Sequence, residues 1–308
     1  MKSGLVGFKP TTVLVPRDAV VPISDRQDSV GPMARTVRDA AYVLTAIASN
    51  FNTSTHPTTK MIDYVKFTQT TDLKGLRVGV PREDINRAIS LDKHRSKRKD
   101  GEKGYLEEYV LTTFEKALQK LSEMEATVVD NVQFRSQDEW NSLSSPMRGI
   151  PGSGPLEAEF KASLARWCSM LTANPHDIRS LDDLIDFTCR THAVQEEYPK
   201  RDVGRLVNSQ RSPGINAPIV QESLHALLRI AGDEGILSAL HDYQVDVLVF
   251  PNISNISASS MAATAGFPVF ALPLGHYPEG APTYTSGVEG ELVDIDKGIP
   301  YVFCIQHR

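Results

Sequence analysis

The 308 residues suffice for one large domain or two ordinary ones with a full hydrophobic core. Hydrophobic residues make up 41% and charged residues 23%, the balance of a soluble globular protein, and a net charge of -5 offers no general attraction for nucleic acid or anionic lipid. Cys168, Cys189 and Cys304 form no CxxC pair, which argues against a disulfide framework or a zinc site and fits a reducing, cytoplasmic setting.

Along the chain, Gly4–Lys9 is an apolar, glycine-containing run that reads as a buried strand ended by Pro10. It is too short for the apolar core of a signal peptide, and the longest aliphatic run, Val245–Phe250, is far below the ~20 residues a membrane helix needs. A buried strand with so little polar lead-in is an unusual way to begin a domain, and raises the expectation of a missing upstream part. Three sequons, at Asn52, Asn252 and Asn255, read as chance matches.

Residues 11–34 read as loop. Thr36 then has the place of an N-cap, with Asp39 three later, and Val37, Ala41, Leu44 and Ala48 share one face of a helix. Surface insertions are expected near 50–72, 84–101 and 199–218. Leu76–Val80 reads as a strand, about Tyr105–Met124 as a long amphipathic helix, and Thr127–Phe134 as the next strand. Together they predict a βαβ unit with parallel pairing. Helices are expected near 156–172, 178–196, 219–242 and 258–265, and buried strands at Val245–Pro251, Gly266–Gly275 and Ile299–Cys304. The fold class is α/β, in a single partial domain spanning 1–308.

Individual signals are bland. The Gly/Ser/Pro stretch 144–155 matches neither phosphate-binding glycine motif and reads as a loop, and no G-x-S-x-G elbow occurs. The basic run 93–99 is surrounded by acidic residues and reads as solvated surface, as do Arg201, Arg205 and Arg211. His192, His225 and His241 lie in helical stretches without metal-ligand spacing.

Five blocks, in order, carry a resemblance. Gly4–Thr11 looks like G-x-V-G-x-K-P-T. Gln27-Asp28, Gly31-Pro32-Met33, Arg35-Thr36-Val37 and Asp39-Ala40-Ala41 follow the pattern Q-D-x-x-G-P-M-x-R-x-V-x-D-A. Leu73–Pro81, Asp246–Pro251 and Ala262–Gly275 complete the series. These blocks resemble the amidase signature family. The resemblance implies a large mixed β-sheet wrapped by helices, incomplete at the N-terminus and also short of a helix after the strand containing Val302 and Phe303. It further implies hydrolysis of a carboxamide C–N bond on a small-molecule amide, with no metal and no cofactor.

In that family a lysine, a bridging serine and a nucleophilic serine lie upstream of G-x-V-G-x-K-P-T, together with the oxyanion donors. Only Met1, Lys2 and Ser3 precede Gly4, and they lack the family's catalytic context. No residue here is therefore assigned as catalytic, and the chain alone is expected to be inactive, since loss of the nucleophile costs on the order of 10⁶ in kcat. The matched residues Gly7, Lys9, Pro10, Gln27, Asp28, Gly31, Pro32, Arg35 and Asp39 are assigned a structural role. Asp28 and Arg35 are read as an ion pair or helix-start contact, against the alternative that they brace a wall of the active site. By position, 141–156 and 255–267 are the candidate pocket segments. The competing readings are a non-catalytic binding or scaffold module derived from an amidase, and hydrolysis by residues outside the motif. Oligomeric state is not legible.

Overall fold

The structure is a computed structural model that describes residues 3–48, 62–95, 105–143, 154–191, 203–251, 256–281, 283–286 and 292–307. Seven strands form the main sheet: β1 (Val6–Lys9), β2 (Met33–Ala34), β3 (Arg77–Gly79), β4 (Thr127–Val129), β5 (Val247–Pro251), β6 (Val269–His276) and β9 (Pro300–Gln306). Their order is β2-β1-β6-β9-β5-β3-β4. The half from β2 to β5 is antiparallel, and β5, β3 and β4 are parallel neighbours, so the sheet is mixed. The expected parallel β3–β4 pair is present. A separate two-stranded sheet pairs β7 (Tyr284–Ser286) with β8 (Leu292–Ile295) antiparallel.

Among the described residues, two helices separate β3 from β4. The second, α3 (Tyr105–Glu123), buries Val110, Phe114 and Leu118 at i, i+4 and i+8, and the Phe114 ring lies 5.6 Å from that of Phe303 on β9. Each such side chain contributes about 1.5–3 kcal/mol by leaving water. The first, α2 (Arg82–Arg95), corrects the reading of 84–101 as a surface insertion. Charges dominate its sequence, yet Ile85, Ala88 and Ile89 fall on one face and enter the main core. A three-residue apolar stripe suffices when it joins a shared core, here with α10 packed beside it. The side chains of the basic run 93–99 lie outside the described residues, as do residues 144–153, His192, Arg201 and the three sequons.

Helix α1 (Val37–Ala48) starts as expected, with Thr36 Oγ1 accepting from Asp39 N at 3.1 Å. Its buried residues are Ala40, Ala41 and Leu44, while Val37, assigned to the buried face, is 44% exposed in the first turn. A short 3₁₀ helix, Tyr64–Thr68, packs on α1 within the first expected insertion.

Helices α4 (Gln137–Ser142), α5 (Pro155–Ser169), α6 (Leu181–Arg190), α7 (Gly204–Arg211), α8 (Pro218–Leu228), α9 (Leu237–Asp242) and α10 (Ser257–Ala265) complete the described set. The expected single helix over 219–242 is interrupted. A π-helical stretch, Arg229–Ile236, joins α8 to α9, with Gly235 at φ -88° and ψ -108°. Helix α7 lies in the third expected insertion and packs on α5. Phe160, Leu164, Cys168 and Leu181 form a satellite core between α5 and α6. Among the described residues no helix is long and apolar enough to cross a membrane.

Strand β6 tolerates Pro273 because β1 pairs only as far as Ala271, and the β6–β9 register shifts between Pro273 and Gly275.

Candidate functional site

The motif residues gather where β1, the loop 11–32, α5 and the α10–β6 turn meet. Phe8 pairs with Phe270 across the strands, and the two rings stack at 3.9 Å. Lys9 Nζ donates to Phe267 O at 3.0 Å and to Pro10 O at 3.3 Å. Burial lowers the Lys9 pKa to about 8, because two carbonyl dipoles replace only part of the lost hydration. Pro10 is buried at the end of β1. Gly7 pairs with Met33 on one side and Ala271 on the other.

Gly31 is dictated by a close approach. A β-carbon there would lie 1.8 Å from Phe8 O and 2.7 Å from Pro10 Cδ. Its neighbour Pro32 is buried and its carbonyl accepts from Phe8 N at 3.0 Å, which brings the returning chain alongside β1. Thr12 N donates to Gly266 O at 3.0 Å. Gly266 ends α10 with φ 75°, the left-handed conformation that closes a helix.

A compact turn follows at Ser24–Asp28. Asp28 Oδ2 accepts from Ile23 N at 2.7 Å and Ser24 N at 2.9 Å, and Asp28 N donates to Ser24 O at 2.9 Å. Asp28 therefore holds its own loop through backbone amides, and Arg35 is exposed, so the two are not joined as an ion pair.

The turn presents Ser24 and Arg26 to Glu159 on α5. Ser24 Oγ donates to Glu159 Oε2 at 2.8 Å. Arg26 grips both carboxylate oxygens, Nε to Oε1 at 3.2 Å and Nη2 to Oε2 at 3.1 Å. Its Nη1 reaches Thr264 O on α10 at 2.7 Å. The Gln27 carboxamide oxygen, in the orientation that satisfies both groups, accepts from Arg26 Nη2 at 3.0 Å. Ser24 is fully buried, so no substrate can reach its hydroxyl. The arrangement locks a loop onto two helices and has no nucleophile–base pair open to a ligand.

A cavity of about 400 Å³ opens elsewhere, lined among others by Glu83, Asp84, Phe134, Arg135, Asp138 and Asp242. Several of its polar groups are engaged. Asp84 accepts from Ser257 N and Ala258 N at the start of α10, Gln133 Nε2 donates to Glu83 at 2.9 Å, and Arg135 pairs with Asp242. Of the two segments picked by position, residues 144–153 and 255 lie outside the described residues. Among the described residues no cluster of His, Cys, Asp or Glu could hold a metal ion.

Sequence reasoning missed Arg26, Glu159 and Asp84. Arg26 and Glu159 stand 133 positions apart, and Asp84 is 173 positions from Ser257, beyond the reach of local pattern. Asp39 stays exposed on α1, with only its backbone amide used in the cap.

The family model for amidases matches residues 2–148. A putative amidase of Arthroderma benhamiae is 36% identical over 304 residues, covering 97% of this chain. The chain belongs to the amidase signature family. Among solved structures, the peptide amidase of Stenotrophomonas maltophilia superposes with a TM-score of 0.73 at 30% identity over 99% of this chain. An amidase family protein of Bacillus anthracis gives 0.68 at 22% identity, a likeness of fold. This amidase-family chain spans about half the length of the curated relatives it matches, 46% of the Arthroderma protein and 49% of a putative amidase of Schizosaccharomyces pombe. It covers 55% of the Stenotrophomonas enzyme. The mixed sheet with flanking helices is the amidase-signature architecture.

Proposed function

We propose that this chain supplies the framework half of an amidase that hydrolyses a carboxamide C–N bond on a small-molecule substrate. The observation that carries the reading is the locked motif loop. Lys9, Gly31, Asp28 and Arg26 are all committed to holding β1 and its loop on α5 and α10, as a support would be. Their side chains offer no acid, base or nucleophile to a substrate. The family's lysine and two serines, by resemblance, lie ahead of the G-x-V-G-x-K-P-T stretch. The 308 residues alone are therefore inactive in our reading. Three free cysteines support a cytoplasmic setting, and the net charge of -5 gives nucleic acid no electrostatic foothold.

The test is ammonia release from peptide amides and simple carboxamides by the purified 308-residue protein. Release at the buffer rate is expected. Co-expression with the portion of the Arthroderma relative upstream of its matched region should restore turnover sensitive to serine-directed inhibitors. Turnover by the 308 residues alone would overturn the reading. A stable, monodisperse chain that stays inactive in every combination would favour the scaffold module instead.

A further inference from the structure

We infer that Ser136 is the peg of a conformational lock: it holds the helix running from α8 to α9 in a phase offset by one residue, and that offset sets the Arg135–Asp242 wall of the cavity of about 400 Å³. The inference stands apart from the hydrolase reading.

The offset shows in the apolar pattern. Val220, Ser223, Leu227 and Ile230 are buried at spacings of three and four, the period of an α-helix. Continued at that period, the same face would take Glu234, Ser238 and His241, and burying a carboxylate and an imidazole there would be costly. The chain makes the π turn instead, in which Leu237 N donates to Gly232 O, five residues back. Gly235, Ile236 and Ala239 become buried, and the His241 side chain stays 86% exposed. A π turn so placed works as a one-residue phase shift.

A wide turn deprives carbonyls of their α-helical donors, and buried carbonyls need others. The segment after β4 supplies them. Ser136, itself buried, donates through Oγ to Ile230 O at 2.6 Å and through its backbone N to Glu234 O at 3.1 Å. Ser238 Oγ lies 2.7 Å from both Glu234 O and Gly235 O, and accepts from Arg135 N at 3.3 Å. Residue 235 is a glycine for a steric reason. A β-carbon there would lie 2.6 Å from Ile230 O, the carbonyl that Ser136 Oγ holds.

The consequence reaches the cavity. With α9 in this phase, Asp242 at its end meets Arg135, Nε to Oδ2 at 2.7 Å, and both residues line the cavity beside Tyr243. A shift of one residue would turn α9 by about 100° and carry Asp242 off Arg135. Arg135 and Ser136 are adjacent, so one segment both pegs the helix and grips its far end.

The experiment is NMR on the 308-residue chain. Ser136→Ala should speed amide exchange at Leu237 about tenfold relative to Cys304 on β9, because the opening it releases is local. Arg135 holds the Asp242 carboxyl below the usual carboxylate range, so in the variant that pKa should move up toward the range. Ser142→Ala, which removes an exposed hydroxyl bonded within α4, should change neither. Ser238→Ala takes out the other hydroxyl of the lock and should give the same local pattern, so it carries the test if Ser136→Ala fails to fold. Unchanged exchange at Leu237, or an Asp242 pKa that stays low, in both variants would overturn the inference. So would faster exchange that is equal at Cys304, because Ser136 would then support the core at large with no particular hold on the helix phase.

Discussion

The Asp84 carboxylate caps a helix that begins 173 residues later: its Oδ2 accepts from Ser257 N at 2.8 Å, and the neighbouring Ala258 N donates to the same oxygen at 3.1 Å. The residue in the N-cap position, Ile256, has no side-chain acceptor to offer. Asp84 thus ties α2 to α10, with Arg87 beside it balancing the buried charge at 2.6 Å.

Asp84→Ala removes the cap, worth roughly 0.5–2 kcal/mol, and the Asp84–Arg87 pairing with it, so a total loss of about 2–4 kcal/mol is expected. Urea denaturation of the variant beside Asp138→Ala checks this. Asp138 is exposed, and its removal should change stability by no more than about 0.5 kcal/mol.

Glu159 and Arg26 have side chains only 10% and 12% exposed. Glu159→Ala leaves a guanidinium buried without its partner and should cost about 3–5 kcal/mol. Glu159→Gln, which keeps an acceptor for Ser24, should cost less. In a double-mutant cycle, removing both charges should recover part of the single-variant loss, and strict additivity would contradict the pairing.

Gly31→Ala should disrupt the β1–β2 connection, because its β-carbon would overlap the Phe8 carbonyl. A loss of about 3 kcal/mol or more, or failure to express in soluble form, is expected. Gly214→Ala is the matched comparison, since nothing lies within 4 Å of a β-carbon there. Its melting temperature should stay near that of the parent.

Lys9 gives a pH signature. Its pKa falls from 10.5 unfolded to about 8 folded, so between these values the unfolded chain binds more protons than the folded one. Stability from this group therefore rises as pH climbs from about 8 toward 10.5, and is flat below that window. Lys9→Met should remove this rising component while lowering stability overall, through loss of the bonds to Phe267 O and Pro10 O. An unchanged slope in the variant would show that Lys9 does not titrate there.

Much of the local structure was legible in the chain. The spacing of Val110, Phe114 and Leu118 marks α3, Thr36 marks the start of α1, and the β3–helix–β4 spacing implies parallel pairing, because each follows from the period of a helix or the handedness of a crossover. The ordered motif blocks also carried the family. What only the tertiary structure decided are the contacts between distant segments. The insertion of β9 between β6 and β5, the burial of Ile85 on a helix that looks solvated, the Arg26–Glu159 grip and the Asp84 cap are of this kind. The reason is physical: periodicity reports which face of an element is apolar, whereas the partner of that face, and of each buried charge, is set by how strands from opposite ends of the chain pair.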